Sequence, residues 1–414
     1  MERLTNTPGG GHVAPQHCAT LRVAVVTSIH PDFDARLWKY ARSLRNQGVD
    51  TYFVSSWNVP DREFDGIHFR SFRPAISRWG RLAVTFRVLG QLIRIIRRID
   101  IVHFHDIDLL PLMVFIAMLK PVVYDCHENY PDEMLSRPWV PDMLRRPLRH
   151  IVRLTQWACV RLIGNAVLVA PSQEKDLPLK HVRWMYVRNY ASVALAEEAT
   201  PDYLERSNTI IFTGSQYVGN GSLLLLEITD EIRREVPDLR VICFDKFQTI
   251  EFKAAFLKEV QVRRLSENII LVPQCRAYEL ARYLNQGRVA ISPNLRTTSQ
   301  VNGVHTKLFE YMAAALPMVV SDLPHQVEML RDAECGLLAQ PERPATFVSA
   351  VLQLLRNPQV ARAMGLNGQR LFRNEYSWEC QEASLLAFYG KILGRPGLQG
   401  DLAEDREWVE APPA

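Results

Sequence analysis

The feature that most constrains this chain is an alternation that runs, stops and starts again. LRVAVVTSI at residues 21–29 is a short β-branched apolar run. It leads through a loop into residues 34–48, where Leu37, Tyr40, Ala41 and Leu44 fall on one helical face and Gly48 ends the pattern. DTYFVSS, IDIVHFHD and KPVVYDCHE read as further strands, with helical spans at 81–98 and 110–119. After a mixed stretch at 188–207, NTIIFTGS, LRVICFD, ENIILVP, GRVAISPN and LPMVVSD repeat the signal. Strands that alternate with helices build parallel sheets covered on both faces. The expected fold class is therefore α/β, with two Rossmann-like domains. Open parallel sheets bind ligands beyond the carboxyl ends of their strands, so the chemistry is expected in a cleft between the domains.

The punctuation of the chain sets the expected boundaries. Residues 1–20, rich in Gly, Pro and Thr, read as a flexible leader, and the Gly/Pro-rich acidic stretch 395–414 as a flexible tail. The first domain is expected over 21–190, the second over 205–376, and a last amphipathic helix over 377–394. A hydrophobic content of 47% with 23% charged residues excludes an intrinsically disordered chain, and a net charge of +4 does not announce a nucleic-acid binder. The charge is uneven. Residues 1–190 carry 26 basic against 17 acidic side chains, and residues 191–414 carry 23 against 28.

Seven cysteines occur without CxxC or Cys/His spacing, which supports neither a zinc site nor a disulfide framework. The first twenty residues lack the layout of an export signal, and no window reaches ~18 uncharged apolar residues. A cytoplasmic protein is expected.

The most informative segment is VNGVHTKLFEYMAAALPMVVSD, 301–322. It reads as a glycine-containing loop, a helix opening near Thr306, then Pro317 and a buried strand. A loop entering a helix offers free backbone N–H groups and the positive end of a dipole, which suits a phosphate. Glu310, one turn in, can reach sugar hydroxyls. The plainer alternative is a capped core helix with a solvated Glu and Lys.

Two further clusters sit at strand ends in the amino half: His127 with Asp125, Glu128 and Asn129, and His103, His105, Asp106 and Asp108. The second has metal-ligand residue types. Asp34 and Arg36 read as a helix cap and a surface ion pair. Residues 81–99 and 144–164 mix Arg with apolar residues, and Arg145, Arg146, Arg149 and Arg153 are candidates to face anionic lipid. The commoner arrangement is an apolar stripe packed on the sheet with solvated arginines.

TKLFEYMAAALPMVVSD, together with CGLLAQPERP and YSWE, resembles the carboxyl-terminal domain of family-four glycosyltransferases of the GT-B fold. SIHPDFDARLWKYARSLRNQG, DIVHFHDIDLLP and VVYDCHENYP resemble the bacterial subgroup that builds cell-surface polysaccharides. The resemblance runs from about Leu21 to about Leu393, in order. It implies retaining transfer of a sugar from a nucleotide-diphosphate sugar to an acceptor hydroxyl in envelope or exopolysaccharide assembly, by front-face, phosphate-assisted attack. No cofactor or metal is implied, and the final helix would brace the first domain. The implied partners are the nucleotide sugar, a lipid-linked or saccharide acceptor and an anionic membrane at the inner face of the cell, with no nucleic acid.

By the same resemblance Glu310 grips the ribose. Gly303, Val304, His305 and Thr306 form the loop that meets the diphosphate, beside Lys307, and Gly214 and Leu308 complete the donor set. His127 points toward the transferred sugar, while His103, His105, Asp106 and Glu128 line the acceptor side rather than a metal.

Three departures stand out. Asn302 occupies the place of the family's first acid, so its amide brings no negative charge to the transition state. QYVGNGS follows strand NTIIFTGS without the usual cations, none occurring between Gly214 and Arg233, which leaves Lys307 and Arg296 as candidate substitutes. His30-Pro31 replaces a Gly-Gly loop. The first two departures motivate an alternative function: a catalytically weak partner or regulatory subunit of another transferase. An epimerase on the same fold is a third reading, without its usual carboxylates.

Overall fold

The computed structural model describes residues 21–30, 34–56, 60–74, 80–135, 140–200, 202–275, 279–303, 305–331 and 333–395. The expected leader, the tail beyond Arg395 and Val304 lie outside them. The chain divides into two compact units, residues 1–104 and 105–414.

In the first unit, β1 (Arg22–Val26), β2 (Asp50–Ser56), β3 (Arg62–Phe64), β4 (Ile67–Phe72) and β5 (Ile101–Phe104) lie in the order β3-β4-β2-β1-β5. All neighbours run parallel except the β3–β4 hairpin. That hairpin turns at Asp65 and Gly66, both at positive φ (53° and 67°), the geometry for which an Asp-Gly pair is suited. The helix Ala35–Asn46 starts where the Asp34 carboxylate accepts from the Arg36 and Leu37 amides at 3.0 and 3.2 Å, so Asp34 is the expected cap. Its side chain also pairs with His30 at 3.3 Å.

The second unit holds three parallel strands, β6 (Val122–Cys126), β7 (Asn165–Leu168) and β8 (Arg183–Tyr186), and a six-stranded parallel sheet. The latter comprises β9 (Thr209–Phe212), β10 (Arg240–Phe244), β11 (Ile269–Val272), β12 (Val289–Ser292), β13 (Met318–Ser321) and β14 (Gly336–Ala339), ordered β11-β10-β9-β12-β13-β14. Its strands are apolar through their middles, with polar residues such as Thr209, Arg240, Ser292 and Ser321 confined to strand ends, because both faces are covered. Ile210 and Phe212 of β9 join one buried cluster, and Ile211 joins the other. The chain winds outward from β9 to β11, then returns to β12 and winds the opposite way. The β9–β12 border is thus a topological switch point, where loops after adjacent strands part and leave a ligand crevice.

The last helix, Glu379–Leu393, clasps the segment preceding the six-stranded sheet. The Glu379 carboxylate accepts from Ser192 Oγ and the Val193 amide, at 2.5 and 2.8 Å. The Gln381 side chain both accepts from and donates to the Arg188 backbone, at 2.6 and 2.9 Å.

Candidate active site

The site is built from the loops leaving β9 and β12 and from the helix Thr306–Ala313. At Gly214 φ is +96°, a conformation that favours glycine, and the Lys307 stem passes about one van der Waals contact away. At Gly221, φ +73°, a Cβ would stand 1.8 Å from the Pro293 carbonyl oxygen, so the two loops meet backbone to backbone there. Gly303 is not left-handed. It is constrained by space, since a Cβ would come within 2.8 Å of the Ser299 carbonyl oxygen.

Glu310 lies half-buried at the end of β9, where its carboxylate accepts from the Thr213 hydroxyl at 3.0 Å. The Tyr311 hydroxyl accepts from the Thr213 amide at 3.0 Å and donates to the Ile291 carbonyl at 3.2 Å. The carboxylate is therefore held in place at the strand end.

Lys307 is the unusual residue. It is 6% exposed, its Nζ donates to Asn220 Oδ1 at 3.3 Å, and it lies 4.9 Å from the Phe212 ring centroid. Burial pushes its ammonium down to about 7, against the pull of the Glu310 charge. Asn220 Oδ1 also accepts from Asn294 Nδ2 at 2.9 Å, and Asn220 Nδ2 donates to the Ser215 carbonyl at 2.6 Å. Asn294 donates further to the Gln300 side chain, whose Nε2 donates to the Tyr217 hydroxyl at 2.5 Å. The Gln300 carbonyl meets His305 Nε2 at 3.2 Å. This ladder of amides ties the cation-free QYVGNGS loop to the residues that carry Lys307. Burial, then the Lys307 charge, hold the His305 imidazole down to about 4, so it is neutral at neutral pH.

Of the two candidate substitute cations, the geometry separates one from the other. Arg296 is engaged by the carboxylates of Asp322 and, at 3.0 Å, Glu342. Lys307 instead donates to a neutral amide oxygen, that of Asn220. Thr306 is exposed at the start of its helix, as expected, whereas the Leu308 side chain is in the apolar core with Tyr311 and Met312 and cannot line a donor site. Asn302 ends the short helix Thr298–Asn302, and its side chain lies outside what is described.

The second cluster of the same unit gathers at the end of β6. His127 Nδ1 faces the Asp125 carbonyl, and its Nε2 faces the Tyr130 hydroxyl, both at 3.4 Å. A neutral imidazole with its proton on Nδ1 satisfies both contacts. Burial, with the charges of Asp106 and Glu128, raises the Tyr130 hydroxyl far above its ordinary range and keeps it a donor. Glu128 is exposed beside His127. His105 and Asp106 differ from expectation: both are 1% exposed, and His105 Nδ1 pairs with the fully buried Asp125 carboxylate at 3.2 Å. They support the surface that His127 and Glu128 present. Asp106 with His127, and His105 with Asp125, have the residue types of metal ligands. His103, on β5 of the first unit, is fully buried with its ring 5.0 Å from that of Tyr40, which is a packing role.

The helix Asp142–Ile163 corrects the arginine expectation. Arg145 pairs with Asp142 at 2.8 Å, Arg149 with Asp132 at 2.9 Å, and Arg153 with the buried Asp176 at 3.0 Å. Of the four candidates only Arg146 stands on the exposed side of the helix. The buried face of the helix is Gln156, Val160 and Ile163, and the arginine stems lie half-buried beside it, where Asp132 and Asp176 of neighbouring segments meet Arg149 and Arg153.

Comparison with known proteins agrees with this architecture. Solved structures show the GT-B fold. Sucrose-phosphate synthase from Thermosynechococcus elongatus superposes with a TM-score of 0.70 at 14% identity, covering 90% of this chain and 99% of its own. An α,α-trehalose-phosphate synthase (UDP-forming) from Burkholderia vietnamiensis gives 0.65 at 13%, covering 89% and 96%. Anabaena HepE in complex with UDP and glucose gives 0.62 at 10%, covering 88% and 98%.

Residues 34–174 match the Glycosyltransferase Family 4 description, and residues 207–357 match Glycosyl transferases group 1. The chain belongs to the family-four glycosyltransferases of the GT-B fold and is an enzyme of that class. It is 30% identical over 118 residues to an MMP α-(1→4)-mannosyltransferase of Mycolicibacterium hassiacum, and 24% identical over 142 residues to a glycosyltransferase of Methanocaldococcus jannaschii. These matches span 28% and 33% of this chain, and 28% and 40% of the respective relatives.

Proposed function

We propose that this enzyme transfers a sugar, with retention, from a nucleotide-diphosphate sugar to a hydroxyl of a saccharide or lipid-linked acceptor in bacterial envelope or exopolysaccharide assembly. The donor seats at the β9–β12 switch point. Glu310 takes the ribose hydroxyls, and the loop 303–306 with the start of the following helix meets the diphosphate. Lys307 supplies the positive charge that the QYVGNGS loop lacks. The single observation that carries this reading is Lys307 itself, a buried cation beneath the glycine loop with an amide rather than a carboxylate as its bonded partner. Keeping a lysine so desolvated costs stability, and an incoming diphosphate offsets that cost.

When the donor bond breaks, charge accumulates on the leaving phosphate within reach of Lys307 Nζ, and stabilising it there lowers the barrier. His127 serves the transferred sugar by exchanging one of its two 3.4 Å contacts, to the Asp125 carbonyl or the Tyr130 hydroxyl, for a sugar hydroxyl, while Glu128 meets the acceptor. The enzyme acts without a metal, and the acceptor-side domain spans 21–190, the donor domain 205–376 and the bracing helix 377–394.

Glu310→Ala tests the seat. Losing two charge-assisted hydrogen bonds weakens nucleoside diphosphate binding by ~1.5–3 kcal/mol, read by titration calorimetry. Unchanged affinity in a folded variant removes the assignment. If no nucleotide sugar of a broad panel is turned over while the chain binds a second transferase, the partner-subunit reading replaces this one.

A further inference from the structure

The face that the helix Asp142–Ile163 turns to solvent is apolar. Met143, Ile151, Leu154 and Leu162 are 83%, 59%, 68% and 68% exposed, and with Pro147 and the exposed Ala158 they follow one another at three- and four-residue steps along one stripe. Trp157, also exposed, lies along one edge with Arg146 and His150, and Arg161 falls within the stripe. The one acid of the helix, Asp142, is already paired to Arg145. The helix Leu110–Ala117 packs against this one and ends in exposed Phe115, Met118 and Leu119, followed by Lys120. Among the described residues, the first unit carries a helix of the same make: Gly80–Ile95 exposes Leu82, Phe86 and Ile93, contains no acid, and is flanked by Arg97 and Arg98.

A soluble surface scatters apolar residues singly. A continuous stripe bordered by cations and an interfacial tryptophan is how a helix lies in a lipid headgroup layer. The charge selects the occupant, because the stripe itself carries no acid, the exposed Asp142 lying off it and paired to Arg145, so that Arg146 and Arg161 complement an anionic surface. We infer that the outward face of residues 143–162, continued by Phe115, Met118 and Leu119, docks on an anionic lipid bilayer. The apolar stripe inserts, and Arg146 and Arg161 hold the headgroups. This contact does not depend on the sugar-transfer reading, and no helix among the described residues is long and apolar enough to cross a membrane. The docking is peripheral.

The experiment is co-sedimentation of the full chain with vesicles of phosphatidylcholine alone and of phosphatidylcholine mixed with phosphatidylglycerol. Binding is expected on the mixed vesicles, reduced by salt, and much weaker on phosphatidylcholine alone. Ile151→Asp with Leu154→Asp should lower the partition coefficient by about tenfold or more, with unchanged circular dichroism because both side chains are exposed. Arg146→Ala and Arg161→Ala should each lower it about fivefold. Arg149→Ala should leave it within about twofold, since that side chain is tied to Asp132. The inference is overturned if the wild-type chain ignores the mixed vesicles or if the double aspartate variant binds as well as wild type. It is equally overturned if that variant instead breaks a dimer seen by sedimentation velocity in the absence of lipid.

Discussion

Two helices of the second unit treat their basic residues in opposite ways. On residues 142–163, Arg145, Arg149 and Arg153 are half-buried and met by the carboxylates of Asp142, Asp132 and Asp176, so these three charges are neutralised within the chain, while the apolar stripe with Arg146 and Arg161 faces solvent. Residues 306–313 bury one lysine against a phenyl ring and a neutral amide, with its charge opposed by burial. The first arrangement stabilises the fold and frees a surface. The second withholds neutralisation, which is what a site needs if an anionic substrate is to supply it. The difference shows that a basic residue is informative less by its charge than by whether the fold has already paired it.

Lys307→Met is the strongest way to break this comparison. If the lysine serves the diphosphate, kcat/KM on any nucleotide sugar that the wild type turns over falls by ~10²–10³, about 2.7–4 kcal/mol. Stability by denaturant titration should rise or stay unchanged, because a buried charge is removed. A large loss of stability would mean that the lysine is structural. Arg153→Ala should behave in the opposite way. It leaves the Asp176 carboxylate, already raised by burial, without its ion-pair partner, so unfolding free energy drops by ~1–3 kcal/mol while sugar transfer from solution is unaffected.

Asn220→Ala sharpens the donor half of the contrast. Removing the amide that holds Lys307 Nζ should weaken nucleoside diphosphate binding by ~0.5–1.5 kcal/mol, and Asn220→Asp should raise the lysine's proton affinity and flatten its pH response.

The smallest expected effect is that pH response. Free Lys307 loses its proton near 7, so diphosphate affinity should decline as pH rises above 7, by less than about tenfold per unit, with proton uptake on binding. For folding the sign is reversed. The unfolded lysine keeps its proton to about 10.5, so between about 7 and 10.5 the unfolded chain binds more protons and stability rises with pH, a slope that Lys307→Met should lose.

Much of the fold was legible. The strands β1, β2, β5 and β6 and five of the second sheet stand where their β-branched runs stand, because a strand covered on both faces has an apolar signature of its own. Strands β7 and β8 were not read, and β14 is a four-residue edge whose GLLA is too short to register. The β3–β4 hairpin was missed although Asp65-Gly66 announces it. The donor helix was legible from its loop-to-helix transition. The amide ladder was not, since Asn220 and Lys307 lie 87 residues apart and neither names the other.

What the amino-acid order determined by itself was periodicity: which segments become strands or helices, and that both faces of the six-stranded sheet are covered, because apolar pattern and turn chemistry are local. What tertiary structure alone decided was orientation and pairing. An arginine stem and a leucine both tolerate an inward position. Which of them takes it on the helix 142–163 depends on Asp132 and Asp176, supplied by other elements, just as the protonation of Lys307 depends on what closes over it.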